Sequence, residues 1–173
     1  GISNHSAWQI CRAQWIADRI NTTPLMCVQN PYSLLNRKLE GEMFGMARTL
    51  GIGIMGYSPL AVGLLTGVYK PGEPAPADTL WATRRKDWYD KAMQGTVGEV
   101  IKTLITLAGE LGKTPAQLAV AWVLSHPEIS VAISGADTTN PFDDVLGGVG
   151  RTLDATVRQR LDEVSAPLQM VLD

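Results

Sequence analysis

Apolar positions along this chain fall at helical spacing in some stretches and in short compact runs in others. Trp8, Cys11, Trp15 and Ile16 recur at helical intervals, which predicts an amphipathic helix over residues 6–20. Residues 25–29 are a short apolar run stopped by Asn30-Pro31 and predict a buried strand. Helical spacing resumes over 36–49 with Leu39, Met43, Met46 and Leu50, and Gly51 is placed to end that helix. A second apolar run, 52–57, stops at Ser58-Pro59. Residues 97–111 carry Val97, Val100, Ile101, Leu104, Ala108 and Leu111 on one helical face. Thr114-Pro115-Ala116-Gln117 is a helix start, with a Thr cap, proline at the first position and Gln at the third, and that helix should run to about Ser125. A third run, 129–133, leads into Ser134-Gly135-Ala136-Asp137. Asn140-Pro141-Phe142-Asp143 reads as another capped start, and Leu153, Val157, Leu161 and Val164 predict a final helix. Residues 70–95 lack periodicity and contain Pro71, Pro74 and Pro76; they are expected to be a long irregular segment, a lid or a disordered excursion.

Alternation of helices with short apolar runs predicts an α/β fold with a parallel sheet and crossover helices. The 173 residues suit one domain, and 45% apolar content supplies a core. Basic and acidic residues nearly balance, 15 against 17, so no footprint for nucleic acid or an anionic membrane is present, and no apolar run approaches a membrane span. Cys11 and Cys27 lie in apolar-patterned segments and are expected to be buried free thiols in a reducing, cytoplasmic setting.

Residues 51–56, GIGIMG, match the glycine pattern of dinucleotide-binding turns. That turn follows a strand and opens a helix, so that helix N–H groups meet the pyrophosphate. Here a helix comes first and a strand follows. Gly51 is expected to cap the helix, Gly53 to stand at the strand start and Gly56 to lie within the strand, so the match is accidental.

Small polar clusters stand where each apolar run ends: Ser3-Asn4, Gln29-Asn30, Tyr57-Ser58 and Ser134 to Asp137. Ser, Asn and Gly commonly end strands and cap helices, which would explain any one cluster. Recurrence at one edge, with a Gln and a Tyr that cap poorly, favours a ligand site, since parallel α/β folds bind ligands there.

GISNHSAWQ, VQNPYSLLNR, GYSPLAVGLLTG and AQLAVAWVLSHP followed by SGA resemble, in order and spacing, the C-terminal half of an aldo-keto reductase. The resemblance spans essentially the whole chain and is weakest over 70–95. It implies part of an eight-stranded β/α barrel, from a stub of the fifth strand at Gly1-Ile2 to the eighth at 129–134. The chain is thus expected to be the cofactor-binding half of an NADP- or NAD-dependent reductase of aldehydes or ketones, inactive alone, with 68–95 as a lid over cofactor or substrate. By the same resemblance, Ser3, Asn4 and Gln29 would bind the nicotinamide carboxamide, which offers one acceptor and two donors. Tyr57 would stack on the ring, Ser58, Pro59, Leu60 and Ala61 would pass under the pyrophosphate, and Gly135, Ala136, Asp137 and Asp144 would meet the adenosine end. Asp137 stands where the family often has Ser, Lys or Arg against a 2′-phosphate, so weakened NADP preference is expected.

The family's proton-donating Tyr and its Lys, Asp and His partners belong to the half without counterpart here; no catalytic residue and no metal site are assigned. His126 reads as a cap or surface residue. The alternative is a non-catalytic binding or channel-subunit-like module, or a half-barrel that pairs with another chain. Open sheet edges predict self-association.

Overall fold

The computed structural model describes residues 1–135, 139–150 and 152–168. Its centre is a four-stranded sheet in the order β1 (Ile2–Ser3), β2 (Cys27–Pro31), β3 (Gly53–Tyr57), β4 (Ile129–Ile133), with every neighbouring pair parallel. Parallel pairing requires crossovers. These are α1 (Ala7–Arg19) between β1 and β2, α2 (Glu42–Leu50) between β2 and β3, and α3 (Leu80–Thr83), α4 (Lys86–Met93), α5 (Thr96–Glu110) and α6 (Pro115–Leu124) between β3 and β4. Two helices follow β4, α7 (Thr139–Leu146) and α8 (Ala155–Ser165).

The sheet is covered on one face. In β2, Val28 and Asn30 are buried while Cys27, Gln29 and Pro31 are half-buried; in β3, Ile54 and Gly56 are buried while Met55 and Tyr57 are not. Strand alternation therefore directs Val28, Asn30 and Ile54 towards the helices and Gln29 and Tyr57 towards the open face. Gly56 lies where a Cβ would stand 3.4 Å from that of Tyr32, the close approach expected of it. Gly51 ends α2 at φ 65 and Gly53 opens β3, so the glycine pattern is not a phosphate turn.

The core follows the predicted faces of the later helices. Val97, Val100, Ile101 and Leu104 of α5 are buried, and α6 is buried almost all round. Its start matches expectation: Thr114 accepts from Gln117 N, Gln117 Oε1 reaches back to Thr114 N, and Pro115 opens the helix. Gly67 sits at φ 86 where a Cβ would come within 2.8 Å of Pro115, so the chain after β3 seats directly on that start.

Several expectations need correction. The predicted apolar face of α1 points outward: Trp8, Trp15 and Ile16 are 61%, 57% and 42% exposed, and Cys11 is exposed too. Ala7, Ile10 and Ala17 form the buried side instead. The spacing of the large residues marks a face that no other element covers among the described residues, with only Arg19 of the same helix lying over the Trp15 ring, 4.9 Å from its centroid. β2 runs two residues beyond the apolar run because Asn30 and Pro31 stay in register with Gly56 and Tyr57. The predicted 36–49 helix is broken at Gly41 into a 3₁₀ turn, Lys38–Glu40, and α2. Residues 70–95 are not irregular throughout: α3 and α4 bury Trp81 and Tyr89, each 1% exposed, against the core. Too few residues per turn of pattern lie in such short helices for periodicity to register.

Candidate functional site

Because the strands are parallel, their C-terminal ends form one edge. There Ser3 pairs with Gln29, Pro31 with Tyr57, and Tyr57 with Ile133. Ser3 Oγ donates to Gln29 O at 3.0 Å, and Asn4 N donates to the same carbonyl at 3.0 Å. Tyr57 Oη donates to Asn4 Oδ1 at 3.0 Å, reaching across the end of β2. Ser3, Asn4, Gln29 and Tyr57 are thus brought together, three strands contributing to one cluster. The Tyr57 bond uses Asn4 Oδ1 and leaves its amide hydrogens directed to other acceptors. Gln29 adds a second carboxamide on the open face.

The backbone at this edge is held in unusual conformations. Asn4, Ser58, Ala61 and Val62 all have left-handed φ, at 58, 55, 49 and 54. Such conformations cost about 1–3 kcal/mol each for non-glycine residues and collect at functional sites. Turns build the loop after β3: Ala61 N donates to Ser58 O at 2.9 Å and Leu65 N to Leu60 O at 3.2 Å. Pro59 and Ala61 are buried, Leu60 is half-buried and Ser58 is exposed. Trp81 Nε1 donates to Val62 O at 3.0 Å, tying α3 to this loop.

The residues expected at the adenosine end are placed unevenly. Gly135 is exposed beyond β4, whereas Ala136 and Asp137 lie outside the described residues. Asp144 is on α7, where both carboxylate oxygens accept from Thr114 Oγ1, at 2.8 and 3.0 Å. Its carboxylate therefore joins α7 to the start of α6.

Behind the edge lies a buried polar clamp that sequence reasoning missed. Tyr32 follows β2, its backbone N donating to Tyr57 O at 3.0 Å. Its hydroxyl donates to Glu40 Oε1 at 2.7 Å, and Arg37 donates to both Glu40 oxygens, at 2.7 and 2.6 Å. Arg37 Nη1 also reaches Asp162 O at 2.6 Å and Ser165 Oγ at 2.9 Å, binding α8 to the loop after β2. Trp122 of α6 donates to Asp162 Oδ1 at 2.8 Å and stacks on Tyr32 with centroids 5.4 Å apart. Burial, then the neighbouring Glu40 carboxylate, push the Tyr32 hydroxyl far above its ordinary range, so it stays protonated as a donor. Burial would raise Glu40, but hydrogen bonds from Arg37 and Tyr32 outweigh it and hold the carboxyl below its usual value. His126, expected as a cap or surface residue, caps α6, its Nδ1 lying 3.0 Å from Trp122 O, but it is not at the surface: it is 5% exposed, packs on Trp122 at 4.6 Å, and burial followed by Arg158 lowers its pKa. The available signal was the Tyr-x-x-x-x-Arg spacing within VQNPYSLLNR, whose partner Asp162 lies too far along the chain for spacing to show.

A parallel sheet with one helix-covered face and polar groups gathered at its C-terminal edge defines an α/β protein of the β/α-repeat class. The chain belongs to the aldo/keto reductase family, whose family model matches residues 1–166. Among curated relatives it is 37% identical over 142 residues to a probable voltage-gated potassium channel subunit beta of Oryza sativa, covering 81% of this chain and 43% of that protein. It is 33% identical over 164 residues to the uncharacterized oxidoreductase YrpG of Bacillus subtilis, covering 95% of this chain and 48% of the relative. Protein tas of Escherichia coli is 32% identical over 165 residues, 95% of this chain and 46% of the relative. The chain thus spans less than half the length of these relatives. No helix among the described residues is long and apolar enough to cross a membrane.

Proposed function

We propose that this chain supplies the cofactor-binding part of an NAD(P)H-dependent oxidoreductase that reduces aldehydes or ketones to alcohols, its strands being the fifth to eighth of a β/α barrel. The observation that carries this reading is the cluster of Ser3, Asn4, Gln29 and Tyr57 at one edge, with Tyr57 bonded to Asn4. The donor set suits a carboxamide: amide hydrogens of Asn4 and Gln29 meet its oxygen, and the Gln29 carbonyl and Ser3 hydroxyl accept its N–H groups. The phenol ring of Tyr57, anchored at its hydroxyl, offers a face for the nicotinamide ring. When bound, the cofactor supplies hydride. The chain's own residues fix which face of the ring is presented, and the strained 58–62 backbone keeps the loop under the pyrophosphate. Residues 68–95, tied to that loop through Trp81, are the lid of this reading.

Proton donation is assigned to no residue of this chain. At the adenosine end, Gly135, Ala136 and Asp137 are the proposed contacts, with Asp144 engaged by Thr114. The acidic Asp137 favours a free ribose hydroxyl over a 2′-phosphate, so cofactor selection tends towards NAD. Fluorescence titration of the intact protein with NADH and NADPH tests both points. Binding of either cofactor that weakens about tenfold in Tyr57→Ala supports the site; a strong preference for NADPH would reject the proposed selectivity.

A second reading has its own support in the relative named a probable potassium channel subunit beta. In it the same edge binds a dinucleotide without turnover. Cofactor binding with no aldehyde-dependent oxidation in the intact protein would favour it.

A further inference from the structure

Along the outward face of α1, Trp8, Arg12, Trp15 and Arg19 follow one another at intervals of four, three and four residues. Those intervals put all four on one narrow line of the helix. The buried residues Ala7, Ile10 and Ala17 lie on the opposite side, so the line points away from the core. All four side chains are exposed. The stripe thus alternates two indoles with two guanidinium groups and carries no carboxylate. Asp18 stands at its flank, where its Oδ1 accepts from Gln14 Nε2 at 3.5 Å. Arg19 lies over the Trp15 ring, 4.9 Å from its centroid, which is cation–π contact one turn along the same helix. Even so, Trp8 and Trp15 remain 61% and 57% exposed.

Tryptophan and arginine are the side chains that most often anchor protein–protein contacts. A helix lying in a membrane surface separates the two, with rings on its apolar face and cations on its polar face. Here both share one line, and burying that line in lipid would bury both cations. Read in reverse, the stripe keeps its spacing with tryptophan and arginine exchanged. A second copy of α1 laid antiparallel, about a twofold axis between Ala13 and Gln14, therefore matches it. Trp8 comes level with Arg19 of the second copy, and Arg12 with Trp15. Each pair occurs twice, as a contact between identical surfaces requires. On the flank, the same axis brings Cys11 level with Ile16, so apolar meets apolar. Four indoles burying about 150 Å² each, with the arginine stems and Ile16, give on the order of 1,000 Å² in total, the lower bound for a specific pair. That area suits a weak, reversible dimer.

We propose that the outward stripe of α1 is a homodimer surface, on which a second copy of this chain docks antiparallel through reciprocal Trp8–Arg19 and Arg12–Trp15 pairs. The surface is separate from the open sheet edges and does not depend on the cofactor reading.

The test is sedimentation equilibrium of the full chain across the micromolar range, with the denaturation midpoint measured for every variant. The unaltered chain should fit a reversible monomer–dimer equilibrium. Trp8→Arg changes two pairs at once, setting arginine against arginine, and should weaken dimerisation at least about tenfold with the midpoint kept. Combining Trp8→Arg with Arg19→Trp restores the alternation in reverse and should recover the affinity to within about threefold. Arg12→Gln, at an exposed position, should weaken dimerisation severalfold and keeps the test open if Trp8→Arg does not fold. A chain that stays monomeric, including one whose tryptophan emission shifts only on phosphatidylserine vesicles, overturns the proposal. So does dimerisation undiminished in Trp8→Arg, which would assign it to the open sheet edges. A double exchange as weak as Trp8→Arg alone would reduce the stripe to an unspecific apolar patch and overturns the pairing too.

Discussion

The clamp around Arg37 and the strand edge around Asn4 use similar polar groups to opposite ends. In the clamp every charged group finds its partner within the protein: Arg37 is shared among Glu40, Asp162 and Ser165, and Tyr32 completes Glu40. At the edge, Tyr57 donates to the side-chain oxygen of Asn4, and Gln29 faces the open side of the sheet. A buried, mutually satisfied network contributes stability and a fixed geometry. A cluster satisfied on one side only keeps polar groups for a ligand, which is the role proposed for this edge. The clamp lies directly behind the edge and joins β2, α6 and α8, so it holds in place the loop from which the edge is built.

Breaking the clamp should have the largest effect. Arg37→Ala strands the Glu40 carboxylate and frees α8, and should cost about 3 kcal/mol of unfolding free energy. A denaturant midpoint close to that of the unaltered chain would show that the clamp is not structural. Tyr32→Phe keeps the stacking on Trp122 and removes one bond to Glu40, so its cost should be about 1 kcal/mol in the same measurement.

Acid should reach the clamp before it reaches the edge. His126 and Glu40 both have folded-state pKa values below their ordinary ones. Each therefore contributes stability that is full above its unfolded pKa and lost as pH falls through the folded value. For His126 the decline begins near pH ~6.5, and for Glu40 in the carboxylate range. Stability measured against pH should fall from near neutrality, and His126→Gln should delay the onset to the carboxylate range. An unchanged onset would remove His126 from the account.

The smallest effect on folding belongs to the outward face of α1. Trp8→Ser with Trp15→Ser should change unfolding free energy by under about 1 kcal/mol in total while sharply reducing self-association in sedimentation. A large loss of stability would mean that this face is packed after all.

Much of the architecture was legible in the sequence because apolar runs and capping signals are local. Thr114 to Gln117 predicted the start of α6, and the runs at 52–57 and 129–133 predicted β3 and β4. The strand-end clusters predicted that Ser3, Asn4, Gln29 and Tyr57 share an edge, since parallel strands put such ends together; Ala136 and Asp137 of the fourth cluster lie outside the described residues. What failed depended on distant partners. Large residues on α1 implied a buried face, yet burial went to Ala7, Ile10 and Ala17 on another side of the helix. His126, read as a cap or surface residue, does cap the end of α6 but is buried there against Tyr32 and Trp122. Arg37 gave no local sign of Asp162, which reaches it only once α8 returns to the sheet.

The most direct measurement of the central claim is cofactor affinity of the intact protein in matched variants of the two regions. Tyr57→Ala should weaken binding of NADH or NADPH about tenfold with the denaturation midpoint little changed, and Tyr32→Phe should lower the midpoint with affinity kept. Cofactor affinity indifferent to Tyr57, or no saturable binding of either cofactor, would contradict the assignment of this edge.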